Sequence, residues 1–130
     1  MVTNPINISG QEYELLTERV LSSSGHSFKK QHSGIDFVVN FNDRSIGLEV
    51  KAQSVGGSVD EKLMYTVYKY SKKYDEIIFL FNSNFKLNKS IRNAMEFTAE
   101  NMNTKLIFLW GLDSLRDYLS NKEKVTNAFF

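Results

Sequence analysis

The pattern of apolar and polar positions changes period along the chain. From Gly34 to Gln53 it reads Gly-Ile-Asp-Phe-Val-Val-Asn-Phe-Asn-Asp-Arg-Ser-Ile-Gly-Leu-Glu-Val-Lys-Ala-Gln. Ile35, Phe37, Val39 and Phe41 alternate with Asp36, Val38 and Asn40, and a period of two predicts a strand. Asn42-Asp43-Arg44-Ser45 supplies turn chemistry, and a second strand follows from Ile46 to Ala52, making an antiparallel hairpin. Upstream, a polar lead over 1–9 gives way to a helix from Ser9-Gly10-Gln11 to Ser23. Its stripe is Tyr13, Leu16 and Val20, joined by Thr17 and Leu21, and Gly25 is placed to end it as a left-handed cap. His26–Lys30 is a short first strand.

The second half alternates helices and strands. After the flexible loop Ser54-Val55-Gly56-Gly57, Ser58-x-x-Glu61 has the form of a capping box. A helix from Val59 to Lys73 puts Leu63, Val67, Tyr70 and Tyr74 on one face, with Lys62, Lys69, Lys72 and Lys73 largely away from it. Met64, Tyr65 and Tyr68 widen its apolar surface beyond what one sheet face needs, which fits either a dimer contact or an aromatic core. Ile77–Phe81 is a continuous apolar run, as expected of a strand covered on both faces. A loop over 82–86 leads to a helix from Asn88 to Asn101, with Ile91, Ala94, Met95, Thr98 and Met102 buried. Leu106–Trp110 is a second buried strand. Past Gly111, a last helix to Asn121 rests on Leu112, Leu115, Tyr118 and Leu119, and 122–130 reads as a loose tail. The order αβββαβαβα predicts an α/β fold with a mixed central sheet flanked by helices.

Composition narrows the chemistry. A length of 130 residues suits one domain spanning 1–130, with its core at about 10–120. No 18-residue apolar run and no apolar leader are visible, so no membrane is expected. Zero cysteines fit a reducing cytoplasm and exclude thiol nucleophiles and Cys-rich metal sites. His26 and His32 lack zinc-ligand spacing, and there is no Gly-rich phosphate loop or Gly-x-Ser-x-Gly turn. Carboxylates with Mg²⁺ remain as catalytic equipment. Net charge is only +1, but residues 62–92 hold Lys62, Lys69, Lys72, Lys73, Lys86, Lys89 and Arg92 against Asp75 and Glu76. Such a stretch either follows a phosphate backbone or is a solvated helix face.

The hairpin carries the most specific chemistry. If Phe41 pairs with Ile46, Val38 faces Glu49 and Asp36 faces Lys51. Asp36, Glu49 and Lys51 then share a face with Gln53. Asp36 and Glu49 become diagonal neighbours with Cα atoms roughly 7–8 Å apart. One divalent cation with metal–oxygen bonds of about 2.0–2.1 Å reaches both carboxylates from there. A slip of one residue would part Asp36 from the other two. The competing expectation is a half-exposed ribbon with ordinary solvated charges.

At these residues the chain resembles a known family. Asp36 followed by Glu49-x-Lys51 resembles the PD-(D/E)xK motif of the restriction-endonuclease-like nucleases. Gly34-Ile35-Asp36 with Glu49-Val50-Lys51 is most similar to Mrr-type restriction endonuclease catalytic domains, with archaeal-type Holliday junction resolvases close by. Tyr13-Glu14-x-Leu16, Val20-Leu21 and Gly25 resemble the first helix of Mrr-type domains. Asn82–Phe85, the helix with Ala94, Leu106–Phe108 and Leu112, Leu115, Tyr118-Leu119 resemble their closing βαβα portion. One departure is Ile35, where the motif name has Pro.

The resemblance implies a restriction-endonuclease-like αβββαβ core extended at its C-terminus by further β and α elements. It implies a Mg²⁺-dependent endonuclease hydrolysing DNA phosphodiesters, with Mn²⁺ as substitute. Asp36 and Glu49 would hold the metal with the Val50 carbonyl. Glu14 would complete the site directly or through a water, Glu12 being second choice. Lys51 would orient or activate the attacking water. Ser33 would match a functional loop serine of the resolvases. Apart from the resemblance, His32 reads as a loop histidine near phosphates rather than a metal ligand, Gln53 on the shared face would touch phosphate or water, and the basic stretch makes Lys69, Lys72 and Lys73 the expected DNA contacts. A homodimer would place two sites for paired cuts, alone or with a sensor or DNA-recognition partner. A Holliday junction resolvase, a nuclease effector in phage defence and a catalytically inactive DNA-binding module on the same scaffold stand as alternatives.

Overall fold

The computed structural model describes residues 9–41, 44–52 and 59–128, with side chains described for all of these except 59–61 and 122–128. The predicted capping box, the loop over 54–57 and Gln53 therefore lie outside the described residues. The elements follow the expected order: α1 (Gly10–Ser24), β1 (Ser27–Lys30), β2 (Phe37–Phe41), β3 (Arg44–Lys51), α2 (Val59–Tyr70), β4 (Glu76–Phe81), α3 (Lys89–Asn101), β5 (Lys105–Trp110) and α4 (Leu112–Ala128). Local chemistry sets the ends of α1. The Ser9 hydroxyl accepts the Glu12 N–H at 3.1 Å, and Gly25 closes the helix at φ +85°, a conformation costly for residues with a Cβ.

The five strands form one sheet in the order β1-β2-β3-β4-β5. β1–β2 and β2–β3 pair antiparallel, β3–β4 and β4–β5 parallel, so the mixed α/β sheet expected from the element order is present. Strand periodicity divides the core in two. Phe37, Val39, Ile46, Leu48, Val50, Ile78 and Leu80 pack with α1 and α4 residues such as Tyr13, Leu21, Leu115 and Leu119. Ile77, Phe79 and Phe81 pack on the opposite face with Leu63, Val67 and Tyr70 of α2 and Met95 and Ala99 of α3. The two crossover helices thus share one face of the sheet, and α1 and α4 cover the other.

Several expectations need correction. The hairpin pairs Phe41 with Arg44 rather than Ile46, and Val38 with Gly47 rather than Glu49, because β3 begins at Arg44, two residues earlier than expected. This two-residue difference preserves which face each side chain occupies. β2 begins at Phe37, and Ile35 leaves the alternation to pack with the α2–α3 cluster. α2 ends at Tyr70, and 71–73 form a turn instead of continuing the helix to Lys73. β5 is half-buried, not buried, since it lies at the sheet edge. The expected loose tail continues α4 to Ala128, consistent with a stretch free of Gly and Pro. Tyr65 and Tyr68 are exposed, which removes the aromatic-core explanation for them. No helix among the described residues is long and apolar enough to cross a membrane.

Candidate active site

β3 is the middle strand, and its residues facing α2 and α3 are Gly47, Glu49 and Lys51. Glu49 is level with Phe79 of β4 and only 8% exposed. A carboxylate at such a position is costly unless something compensates it. The expectation of a ribbon with ordinary solvated charges therefore fails at Glu49.

The compensating groups come from the end of the hairpin. The β2–β3 ladder stops at Phe37–Leu48, and side chains take over beyond it. The Asp36 N–H donates to Glu49 Oε1 at 3.2 Å, and the Val50 N–H donates to Asp36 Oδ2 at 2.7 Å. Lys51 Nζ lies 3.4 Å from Glu49 Oε2. The observed register brings Asp36 level with Glu49, closer than the diagonal arrangement expected, and not opposite Lys51.

The segment carrying Asp36 is tied in place by contacts that the local sequence pattern does not announce. The Gln31 N–H donates to the Asp36 carbonyl at 3.0 Å, and its side-chain amide donates to the Ile35 carbonyl at 3.2 Å. Gly34 takes φ +94°, and a Cβ there would stand 3.6 Å from the Tyr70 hydroxyl. Gly47 leaves room for Ile35, whose Cδ1 would be 2.5 Å from a Cβ at that position.

Electrostatics tie further residues to the pair. Burial pushes the Glu49 carboxyl up to about 7; the Asp36 charge adds to this and Lys51 opposes it. Glu14 is half-buried and its carboxyl is also raised, first by burial and then by Asp36, with Lys30 and Lys51 acting against the rise. Glu12 is exposed, so of the two candidates on α1 it is Glu14 that senses the site. Tyr70 is 8% exposed, and its phenol is raised by burial, then by Glu49 and Asp36. Sequence reasoning places Tyr70 only in a core stripe.

Among the remaining candidates, Val50 buries its side chain in the α1–α4 core. Ser33 and His32 are exposed in the bend before Gly34. Lys69, Lys72 and Lys73 are exposed at the end of α2 and in the turn after it. Gln53 lies outside the described residues.

The donor set suits a hard divalent cation. Asp36 and Glu49 offer carboxylate oxygens side by side; burial is the first cause of the raised Glu49 carboxyl, the Asp36 charge adds to it, and Lys51 acts against both. Among the described residues no three His, Cys, Asp or Glu side chains gather closely enough to hold one ion, so the carboxylates form a pair, not a closed cage. Mg²⁺ is commonly held by one or two carboxylates, with waters and substrate phosphates filling its other positions.

Residues 8–83, more than half of the chain, match the sequence profile of a PD-(D/E)XK nuclease superfamily domain. That span contains Glu14, Asp36, Glu49 and Lys51. No curated protein sequence matches the chain. The crystal structure of a protein of unknown function, AF1548, superposes with a TM-score of 0.52 at 16% identity, over 74% of this chain and 56% of that one. This likeness concerns the fold alone, and the chain spans little more than half the length of that protein.

Proposed function

The chain belongs to the PD-(D/E)XK nuclease superfamily, and from that premise we propose that it is a Mg²⁺-dependent endonuclease hydrolysing DNA phosphodiesters, Mrr-like in its catalytic motif. The observation that carries this reading is the convergence of Asp36, Glu49 and Lys51 at the end of the hairpin, with hydrogen bonds locking the two acidic residues together. Gly34-Ile35-Asp36 and Glu49-Val50-Lys51 support the Mrr-like assignment.

In this reading Asp36 and Glu49 would hold the cation, with the Val50 carbonyl as a further ligand and Glu14 completing the site directly or through a water. The bound cation supplies Lewis acidity, lowering the pKa of water beside it and neutralising charge on the scissile phosphate. Water adds its oxygen to phosphorus as the phosphorus–oxygen bond to the departing sugar breaks. The water's proton leaves to solvent, and the departing oxygen takes up a proton from solvent. Lys51, held by Glu49, orients the attacking water and offsets the charge that develops on the phosphate. Buried Glu49 fixes the direction from which Lys51 works, and the Val50 N–H fixes the Asp36 carboxylate. Lys69, Lys72 and Lys73 take the phosphate backbone, and Ser33 and Gln53 flank it. A homodimer acting in the cytoplasm would make paired cuts.

Plasmid DNA is the direct test. Supercoiled plasmid is expected to become nicked or linear with Mg²⁺ or Mn²⁺ and to stay intact with chelator. An intact plasmid under both metals, with linear, single-stranded and branched substrates also uncut, would overturn the proposal.

A further inference from the structure

Outside the carboxylate site, the exposed side of α2 is unusual. From Lys62 to Lys73 the chain has four lysines, Lys62, Lys69, Lys72 and Lys73, and no acidic residue. All four are exposed. Among the described residues, large apolar side chains are exposed at Leu15, Tyr65, Tyr68 and Phe97, and Tyr65 and Tyr68 share this face at 64% and 51% exposure. Lysine ammonium groups stand over the rings. Lys72 Nζ is 4.3 Å from the Tyr68 centroid, and Lys69 Nζ is 6.0 Å from that of Tyr65 and 5.5 Å from that of Tyr70.

This face runs into the candidate active site. Lys69 bridges the exposed Tyr65 ring and the buried Tyr70 ring. The Tyr70 hydroxyl lies against Gly34, two residues before Asp36. Aromatic rings interleaved with cations thus lead from the helix surface to the carboxylate pair.

We propose that the outer face of α2 binds unpaired nucleotides, phosphates on its lysines and bases on Tyr65 and Tyr68, so that the substrate carries a single-stranded segment beside the bond to be cut. The last clause rests on the nuclease reading. Rings that stand out from a helix can stack only on bases whose faces are free. In a duplex those faces are covered by neighbouring base pairs, whereas in a single strand, flap or branch they are open. A second copy of the chain is a poorer occupant, since two such faces would bring together four lysines from each copy over 62–73, a stretch with no acidic residue. A polyanion with open aromatic faces matches both the charge and the rings.

The test uses fluorescence anisotropy of the full chain with a labelled single-stranded oligodeoxynucleotide and a blunt duplex of the same sequence. Chelator is present so that nothing is cut. The parent is expected to bind the single strand more tightly. Tyr65→Ala with Tyr68→Ala should weaken single-strand binding by about tenfold for each ring removed and leave duplex binding and the salt slope unchanged. Tyr65→Phe with Tyr68→Phe should restore the affinity. Matching thermal melts establish that the variants fold. Three results would overturn the inference: equal single-strand binding by parent and alanine variant, blunt duplex bound as tightly as single strand by the parent, or a parent dimer that the alanine changes dissociate. Plasmid cleavage is scored separately. Cleavage without a single-strand preference removes this inference alone, and single-strand binding through the tyrosines without cleavage removes the nuclease reading alone.

Discussion

Glu49 carries opposing demands. It sits on the middle strand level with Phe79, yet in the proposed role it must be charged to hold a cation. Its carboxyl is pushed up to about 7 from an ordinary 4.5, first by burial and then by Asp36. Between those two values the folded protein binds more protons than the unfolded chain, so the stability of the metal-free protein falls as pH rises from 4.5 through 7. At about 1.4 kcal/mol per pH unit the loss is on the order of 3 kcal/mol. Glu49→Gln should therefore stabilise the metal-free protein at pH 8 by up to that order and change little at pH 4. Urea unfolding at the two pH values with chelator measures the difference; an equal effect at both would mean that Glu49 is not the source. Lys51 separates binding from chemistry. Lys51→Ala should keep cation binding by calorimetry and reduce turnover by about 10²–10⁴-fold, while Asp36→Ala should abolish both. Cleavage at the parent rate by Lys51→Ala with saturating Mg²⁺ would show the site assignment to be wrong.

At the scale of elements, the site depends on how the segment 31–36 meets β3. Gly47 is the contact point: a Cβ there would meet Ile35 Cδ1 at 2.5 Å and Tyr74 at 3.1 Å. Gly47→Ala should cost about 1–3 kcal/mol by overpacking. It should also reduce cleavage beyond the stability loss, because Ile35 adjoins Asp36; unchanged activity at a temperature where the variant is fully folded would show that the hydrogen bonds with Gln31, Glu49 and Val50 hold Asp36 without the Ile35 packing. Most of this architecture is legible in periodicity. Alternation of two and stripes at 3.6 residues yield the element order and place Asp36 and Glu49 on a shared face. The register comes out two residues too wide, since Asn42 through Ser45 all look like turn residues and nothing local says that Arg44 and Ser45 already belong to the strand. Gln31 and Tyr70 are not legible as supports of the site, because their roles arise from contacts between segments distant in sequence. Edge and middle strands also look alike locally, which is why the half-burial of β5 does not show in its sequence.

Across the whole molecule, a formal charge of +1 conceals a separation of signs. The Asp36 charge raises the carboxyls of both Glu14 and Glu49 around the end of the hairpin, whereas the charged residues of the chain from Lys62 to Lys73 are all basic. In the proposed reading a polyanion entering the acidic site before a cation is bound would meet repulsion there and attraction on α2. Binding and catalysis should therefore respond to different substitutions. Replacing Lys69, Lys72 and Lys73 together by Gln should weaken nucleic-acid binding and flatten its salt dependence. The slope should fall by up to roughly 0.7 for each phosphate no longer neutralised on a single strand, or 0.9 on a duplex. Cleavage at saturating substrate should stay near the parent rate, since these exposed side chains would hold the backbone and are not among the groups proposed to act on the scissile bond. The cation–π interactions of Lys69 and Lys72 contribute about 0.5–1 kcal/mol each at exposed sites, so the fold should persist. Affinity measured across about 50–200 mM salt gives the slope. An unaltered slope would mean that the nucleic acid approaches another face of the sheet, and the basic side of α2 would then be a solvated surface.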